Sequence, residues 1–250
     1  MPSLCELNPH TAKIVVLGDL HGSLRALQAA LGFWKSLKGA PIVFLGDYAD
    51  RGSQGVEVSE ALIETCREKD VFALKGNHED YSKAGEALFS PFSLAEEVDR
   101  KRGPWRTYFE NVLKPFYAGL CLAVLLPGKI LFVHGGISSR VSGFDSLKNP
   151  SAAVEADILW SDPVEIPGER PNSRGSGVEF GPDISRRVLN ELGVVYLMRG
   201  HQPDLARSGL HYSHGGRVIT LSATDCYGGR PFFLEIDNLP DQLKFTTHFV

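Results

Sequence analysis

Asp19 and His21 in GDLHG, Asp47, Asp50 and Arg51 in GDYADRG, Asn77 and His78 in GNHE, His134 in VHGG and His201 in RGH follow apolar runs and stand beside glycine. One aspartate after a strand is ordinarily a turn former or a helix cap. Five such turns in succession ask for another reason. Carboxylate, amide and imidazole donors are the set that first-row divalent ions accept, and the lack of cysteine among them disfavours a structural zinc site. Glycine beside each donor lets the backbone turn sharply without a Cβ in the way. The pattern reads as a cage for cations.

The elements that must carry these turns are legible in outline. KIVVLGD (13–19) is the continuous apolar run of a strand covered on both faces. Leu24, Leu27, Leu31 and Trp34 then recur at helical steps, with Ser23 as candidate cap. The unit repeats: PIVFLGD (41–47), a helix from about Ser53 to Cys66, and VFALKGNHE (71–79). Strands alternating with helices imply parallel pairing, with the polar turns on the strands' C-terminal edge, where ligands of open α/β sheets collect. Residues 80–118 read as a helical, amphipathic insert, with Trp105, Tyr108, Phe109, Val112, Leu113 and Phe116 on one face and Pro104 at an N-terminal turn. Short strands dominate afterwards, in GLCLAVLLPG, KILFVHGG, VVYLMRGH, GRVITLSA and PFFLEID, interrupted by one helix at about Pro182 to Leu192. A second sheet packed on the first, with helices outside, is the simplest arrangement. No linker or repeat divides the chain, so residues 1–250 are expected to form one domain.

Composition narrows the function. Hydrophobic residues make up 43% and charged residues 22%, which is enough for a core and leaves no signature of disorder. Formal charge is −4 and no basic run exists, which gives no footprint for nucleic acid or anionic membrane. No apolar stretch reaches a membrane span and the first residues lack a signal-peptide pattern, so a cytoplasmic protein with a short N-terminal tail is expected. Cys5, Cys66, Cys121 and Cys226 are scattered without a C-x-x-C pair, which argues against a disulfide framework and for separate thiols in a reducing cytosol.

GDLHG, GDYADRG and GNHE resemble the signature motifs of the calcineurin-like metallophosphoesterases, and more narrowly of the phosphoprotein phosphatases that act on serine and threonine. LWSDP (159–163), SRGSGVEFG (173–181) and RGHQ (199–202) resemble distal motifs of that family, so the likeness runs from about residue 13 to 236. It implies a four-layer α/β/β/α sandwich of two mixed sheets flanked by helices. It also implies two divalent ions, manganese foremost with iron or zinc suited. Asp19, His21 and Asp47 would hold the first, and Asp47, Asn77, His134 and His201 the second. The implied catalytic acid is His78, oriented and charged by Asp50, while Arg51 and Arg174 would grip phosphate. Two such ions about 3.5–4 Å apart can lower the pKa of a shared water and offset charge on phosphoryl oxygens, so that hydroxide attacks phosphorus directly. An alkoxide leaving group then needs a proton from an imidazolium.

The implied activity is hydrolysis of phosphoserine and phosphothreonine in proteins or peptides, and the runner-up is a dinucleoside polyphosphate hydrolase using the same site. A scaffold without turnover would lose ligands, yet all six ligand positions and His78 are filled. SATDCYGG (222–229) departs from the family's tyrosine-bearing loop, leaving Tyr227 shifted by one position, and Lys75 stands where arginine is common. His211 or His214 could replace His201, while His10 and His248 read as surface residues.

Overall fold

An apolar run with no polar residue over four or five positions cannot lie on a sheet with a wet face, and in this protein each such run is covered on both sides. The computed structural model describes residues 3–240 and 242–250. The chain begins with β1 (Leu4–Glu6), β2 (Lys13–Leu17), α1 (Leu24–Ser36), β3 (Ile42–Phe44), α2 (Gly55–Thr65) and β4 (Val71–Ala73). Helices α3 (Leu94–Lys101), α4 (Trp105–Tyr108) and α5 (Lys114–Gly119) follow, the last two joined by a π-helical turn over Phe109–Leu113. Then come β5 (Ala123–Leu126), β6 (Ile130–Val133), α6 (Asp145–Lys148), α7 (Ala152–Trp160), β7 (Asp162–Pro163), β8 (Glu169–Pro171) and β9 (Val178–Phe180). The remainder is α8 (Pro182–Glu191), β10 (Tyr196–Arg199), β11 (His211–Ser213), β12 (Val218–Thr220), β13 (Phe232–Asn238) and β14 (Leu243–Phe249).

Two mixed sheets carry the molecule, one ordered β14-β13-β2-β3-β4 and the other β1-β5-β6-β10-β12-β11; β7, β9 and β8 form a small third sheet. Strands β2, β3 and β4 pair in parallel, as the alternation with helices requires. Side chains alternate across each strand, and the alternation defines the layers. Ile14, Val16, Val43 and Leu45 face Val124, Phe132, Met198 and Ile219 between the sheets. Val15, Leu17, Ile42 and Phe44 turn outward onto α1, α2 and the aromatic helices of residues 105–117. Leu131, Val133 and Leu197 pack on Ile158, Leu159, Val188 and Leu189 of α7 and α8. The result is the helix, sheet, sheet, helix sandwich expected from the sequence.

Several details differ from expectation. Ser23 precedes α1 but makes no side-chain capping bond. The insert is not helical before Leu94, because Gly85 at φ +81° and Pro91 interrupt residues 80–93, which close instead through a Tyr81–Ala87 bridge. Helix α7 was not anticipated, since AAVEADILW has no amphipathic stripe; its start is nonetheless marked by Ser151, whose hydroxyl accepts the Val154 amide at 3.3 Å. The expected N-terminal tail contains β1, paired in parallel with β5, and β14 adds an unforeseen edge to β13. Cys5 and Cys121 form a disulfide, so the expectation of four separate thiols is corrected. Only the tertiary pairing of β1 with β5 brings residues 116 apart in sequence together, and nothing in their spacing signals it. Among the described residues no helix is long and apolar enough to cross a membrane.

Candidate dinuclear metal centre

The turns after β2, β3, β4, β6 and β10 meet at one edge of the two sheets, and their backbone is bent to do so. His21, Asp47, Asp50, Arg51 and His201 all have φ between +42° and +67°, a region costly for residues with a Cβ. Glycine supplies the room around them. Gly46 sits at φ +101°, and a Cβ there would lie 2.6 Å from the Gly76 Cα and 2.9 Å from His134 Nδ1. Glu79, the last residue of GNHE, pins two of the turns from beneath: its carboxylate accepts the amides of Asp47 (2.9 Å), Tyr48 (3.0 Å) and Gly76 (2.9 Å). Sequence reading assigned Glu79 no role; a glutamate directly after two donor residues was the available signal.

Asp47 lies centrally. One carboxylate oxygen is 3.3 Å from His134 Nε2 and the other 3.5 Å from His21 Nε2. His21 donates Nδ1–H to the Ala49 carbonyl (3.0 Å) and His134 donates Nδ1–H to Leu45 (2.8 Å), so both Nε2 atoms are left as lone pairs in the neutral rings. Asn77 Oδ1 approaches His134 Nε2 at 2.9 Å and His201 Nδ1 at 2.8 Å. Electron-pair donors therefore converge without enough protons to bridge them. Two donor triads result, His21 with Asp47 and His78, and Asp47 with His134 and His201, the donor atoms of each within 4.8 Å of one another.

Electrostatics supports cation binding. Burial holds the Asp19 carboxyl up to about 7 and Asp47 well above the usual range, while it pushes the His21 imidazole down to about 3 and lowers His134 and His201 as well. Neutral imidazole is the form that ligates, and a cation would offset the cost of ionising the two carboxylates. Asp19 Oδ2 and His201 Nε2 are buried polar atoms without a hydrogen-bond partner among the described residues. The other Asp19 oxygen accepts the His201 amide at 2.9 Å, which fixes the two turns against each other. The residues present thus fit a pair of divalent ions.

His78 and Asp50 stand beside this cage. His78 Nδ1 meets Asp50 Oδ2 at 2.9 Å, and the second Asp50 oxygen accepts the amides of Ser93 (2.7 Å) and Leu94 (2.8 Å) where α3 begins. Burial opposes the charge of Asp50, but those hydrogen bonds outweigh it and hold its carboxyl below the ordinary value. Asp50 raises the His78 pKa, yet burial of the ring prevails and lowers it overall, so Asp50 orients His78 more than it charges it.

Arg51 makes no ion pair with Asp50. Its guanidinium lies 5.8 Å above the Tyr227 ring and donates to the Ser90 carbonyl at 3.3 Å. Arg174 is braced by Asp162 of LWSDP (Nε to Oδ2, 2.8 Å), and the other Asp162 oxygen pairs at 2.9 Å with Arg199, which is wholly buried. Arg51 and Arg174, with His21, Asp47, Asn77, His78, His201 and Tyr227, line one cavity of about 290 Å³. Asp19 and His134 lie outside its lining: His134 meets Asp47 and Asn77, whereas Asp19 belongs to neither triad and is tied to the His201 amide.

The remaining residues singled out from sequence fall elsewhere. His214 is bound to Ser185 and the Val164 carbonyl, and His211 lies in β11, so neither substitutes for His201. His248, expected at the surface, is half-buried against Phe233 and bonded to Glu235. Lys75 ties its strand end to Asp80 (2.6 Å) and to Glu155 of α7 (2.9 Å).

A family model for calcineurin-like phosphoesterases matches residues 12–205. The chain is 30% identical over 243 residues to serine/threonine-protein phosphatase 5 of Arabidopsis thaliana, covering 91% of this chain and 43% of that protein. It is 30% identical over 224 residues to a serine/threonine-protein phosphatase of Caenorhabditis elegans, covering 85% and 47%. The chain therefore spans about half the length of these curated relatives. Among solved structures, a protein serine/threonine phosphatase from Saccharomyces cerevisiae superposes with a TM-score of 0.79 at 24% identity, over 100% of this chain and 84% of that one, a likeness of fold. The match across most of the sequence, together with the donor cage at the sheet edge, makes this chain a member of the calcineurin-like phosphoesterase family.

Proposed function

We propose that the protein is a metal-dependent phosphatase that hydrolyses phosphoserine and phosphothreonine esters in proteins or peptides, from a single catalytic domain. One observation carries the reading. Arg51, Arg174, the carboxylate-oriented imidazole of His78 and the cage residues His21, Asp47, Asn77 and His201 line one polar cavity, so a phosphoryl group placed there lies beside all three kinds of group. Asp19, His21 and Asp47 would hold one divalent ion and Asp47, Asn77, His134 and His201 the other, with Mn2+ the ion we expect. When bound, such a pair lowers the pKa of water towards neutrality and offsets the charge that develops on phosphoryl oxygens.

The chain's own residues do the rest. Arg51 and Arg174 present planar forks of donors that match phosphate oxygens and align the ester. Asp162 stiffens Arg174 for that task. With Nδ1–H held by Asp50, His78 in its imidazolium form carries a second proton on Nε2, which passes to the departing serine or threonine oxygen and leaves the ring neutral. The names of the relatives favour a phosphoprotein substrate over a dinucleoside polyphosphate.

Phosphoserine peptides and a dinucleoside tetraphosphate assayed side by side with Mn2+ test the proposal. Peptide turnover that collapses in Asp47→Asn is the expected result; nucleotide release with inert peptides overturns it. The cytoplasmic location expected from sequence stands against the Cys5–Cys121 disulfide, since such bonds persist in oxidising compartments. Alkylation at harvest followed by mass spectrometry decides between bridge and thiols.

A further inference from the structure

Beside the catalytic cavity lies a second one, of about 530 Å³, and Arg51 lines both. Its wall includes Ser23, Arg25, Arg51, Gln54, Asp225 and Cys226. The first turn of α1 opens into this space. Ser23, only 7% exposed, makes no capping bond, and its hydroxyl has no hydrogen-bond partner among the described residues. The amides of Arg25 and Ala26 likewise have no acceptor among the described residues. The neighbouring helix shows how such a turn is ordinarily answered. The first amides of α2, at Gly55 and Val56, are both accepted by the buried carboxylate of Glu97 at 3.1 Å. Among the described residues no carboxylate does the same for α1.

A serine only 7% exposed whose hydroxyl has no partner among the described residues, unanswered amides at the positive end of a 13-residue helix, and the Arg25 guanidinium, with Arg51 on the shared wall, form a receptor for an anion. Arg25 retains donors for this role, since among the described residues only one of its nitrogens is engaged, with the Val250 carbonyl at 2.8 Å. Asp225, on the same wall, opposes an anion and bounds the strength of the site. Arg51 connects the two cavities, so an anion held here sits next to the phosphoryl group undergoing hydrolysis.

We infer that this cavity is a second anion subsite, which takes a carboxylate or a second phosphate borne by the substrate chain near the phosphorylated residue. The inference rests on the phosphatase reading and specifies its substrates: acidic or multiply phosphorylated segments.

The test compares kcat/KM for phosphoserine peptides that carry glutamate, a second phosphoserine, or alanine at one to three residues on either side. A preference of about fivefold for the anionic peptides is expected, the size of one exposed ion pair combined with one helix terminus. Arg25→Ala should erase that ratio, Arg25→Lys should retain most of it, and Asp225→Asn should enlarge it. Whether glutamate or only phosphoserine gives the gain distinguishes the two sources. Binding of an unphosphorylated glutamate-rich peptide to the Mn2+-loaded protein, read by calorimetry, supplies a measure independent of turnover and should weaken several-fold in Arg25→Ala. Equal kcat/KM for anionic and alanine peptides, or a ratio that Arg25→Ala leaves unchanged, overturns the subsite while leaving the phosphatase reading intact. Inert phosphopeptides of every kind overturn both.

Discussion

Asp162→Ala is the perturbation for which the structure gives the clearest magnitude. Asp162 Oδ1 and Oδ2 accept from Arg199 (2.9 Å), Arg174 (2.8 Å) and the Asn172 amide (3.0 Å). The two ion pairs differ in worth because their cations differ in exposure. The Arg174 side chain is 41% exposed, so water screens that pair and its loss should cost at most about 1 kcal/mol. Arg199 is 0% exposed, and burial works against its charge while Asp162 is the foremost group sustaining it. Removing one partner of a buried pair typically costs about 3–5 kcal/mol. Arg199 keeps Gln202 (2.6 Å) and the Gly135 carbonyl as acceptors, so the lower end, about 3 kcal/mol, applies. For a chain of this size that is a fall of roughly 6–12 °C in Tm, against roughly 2–4 °C for Arg174→Ala. Circular dichroism melts of both variants and the parent, in chelator so that metal binding does not enter, give the comparison. An Asp162→Ala protein melting within about 2 °C of the parent, or Arg174→Ala costing as much, would refute the view that a desolvated guanidinium depends on this carboxylate.

Three further outcomes are expected. His78→Asn should lower kcat for p-nitrophenyl phosphate by about 10²–10⁴-fold with little change in KM, because proton delivery belongs to the chemical step; steady-state kinetics in Mn2+ checks it. Gly46→Ala should reduce metal content measured by plasma emission, since its Cβ would press on Gly76 and His134 at a φ that disfavours any side chain. Burial lowers the His214 pKa against the help of the Val164 carbonyl, so its neutral form is the folded form, bonded to Ser185 and Val164. The stability it contributes is complete above the unfolded value of about 6.5 and is lost as pH falls below it. Urea midpoints at pH 8 and pH 5.5 should accordingly drop further in the parent than in His214→Gln.

What the sequence determined by itself was local chemistry and one half of the architecture. Apolar runs ending in Gly-Asp, Gly-Asn-His or His-Gly announce covered strands with donors at their tips, and three strands alternating with helices fix parallel pairing. Those inferences depend on residues within about 20 positions of one another, where periodicity and turn chemistry act. Tertiary structure decided the rest. Glu79, Asp162 and Arg199 gain their roles only when distant turns close over them, and Asp50 serves both His78 and the start of α3 because the insert folds back. The Cys5–Cys121 bond, β1 and β14 depend on which strand lies beside which. The open first turn of α1 likewise becomes visible only beside the answered first turn of α2. Each of these involves groups far apart in the chain, whose proximity is set by burial of three cores, and sequence spacing carries no record of such distances.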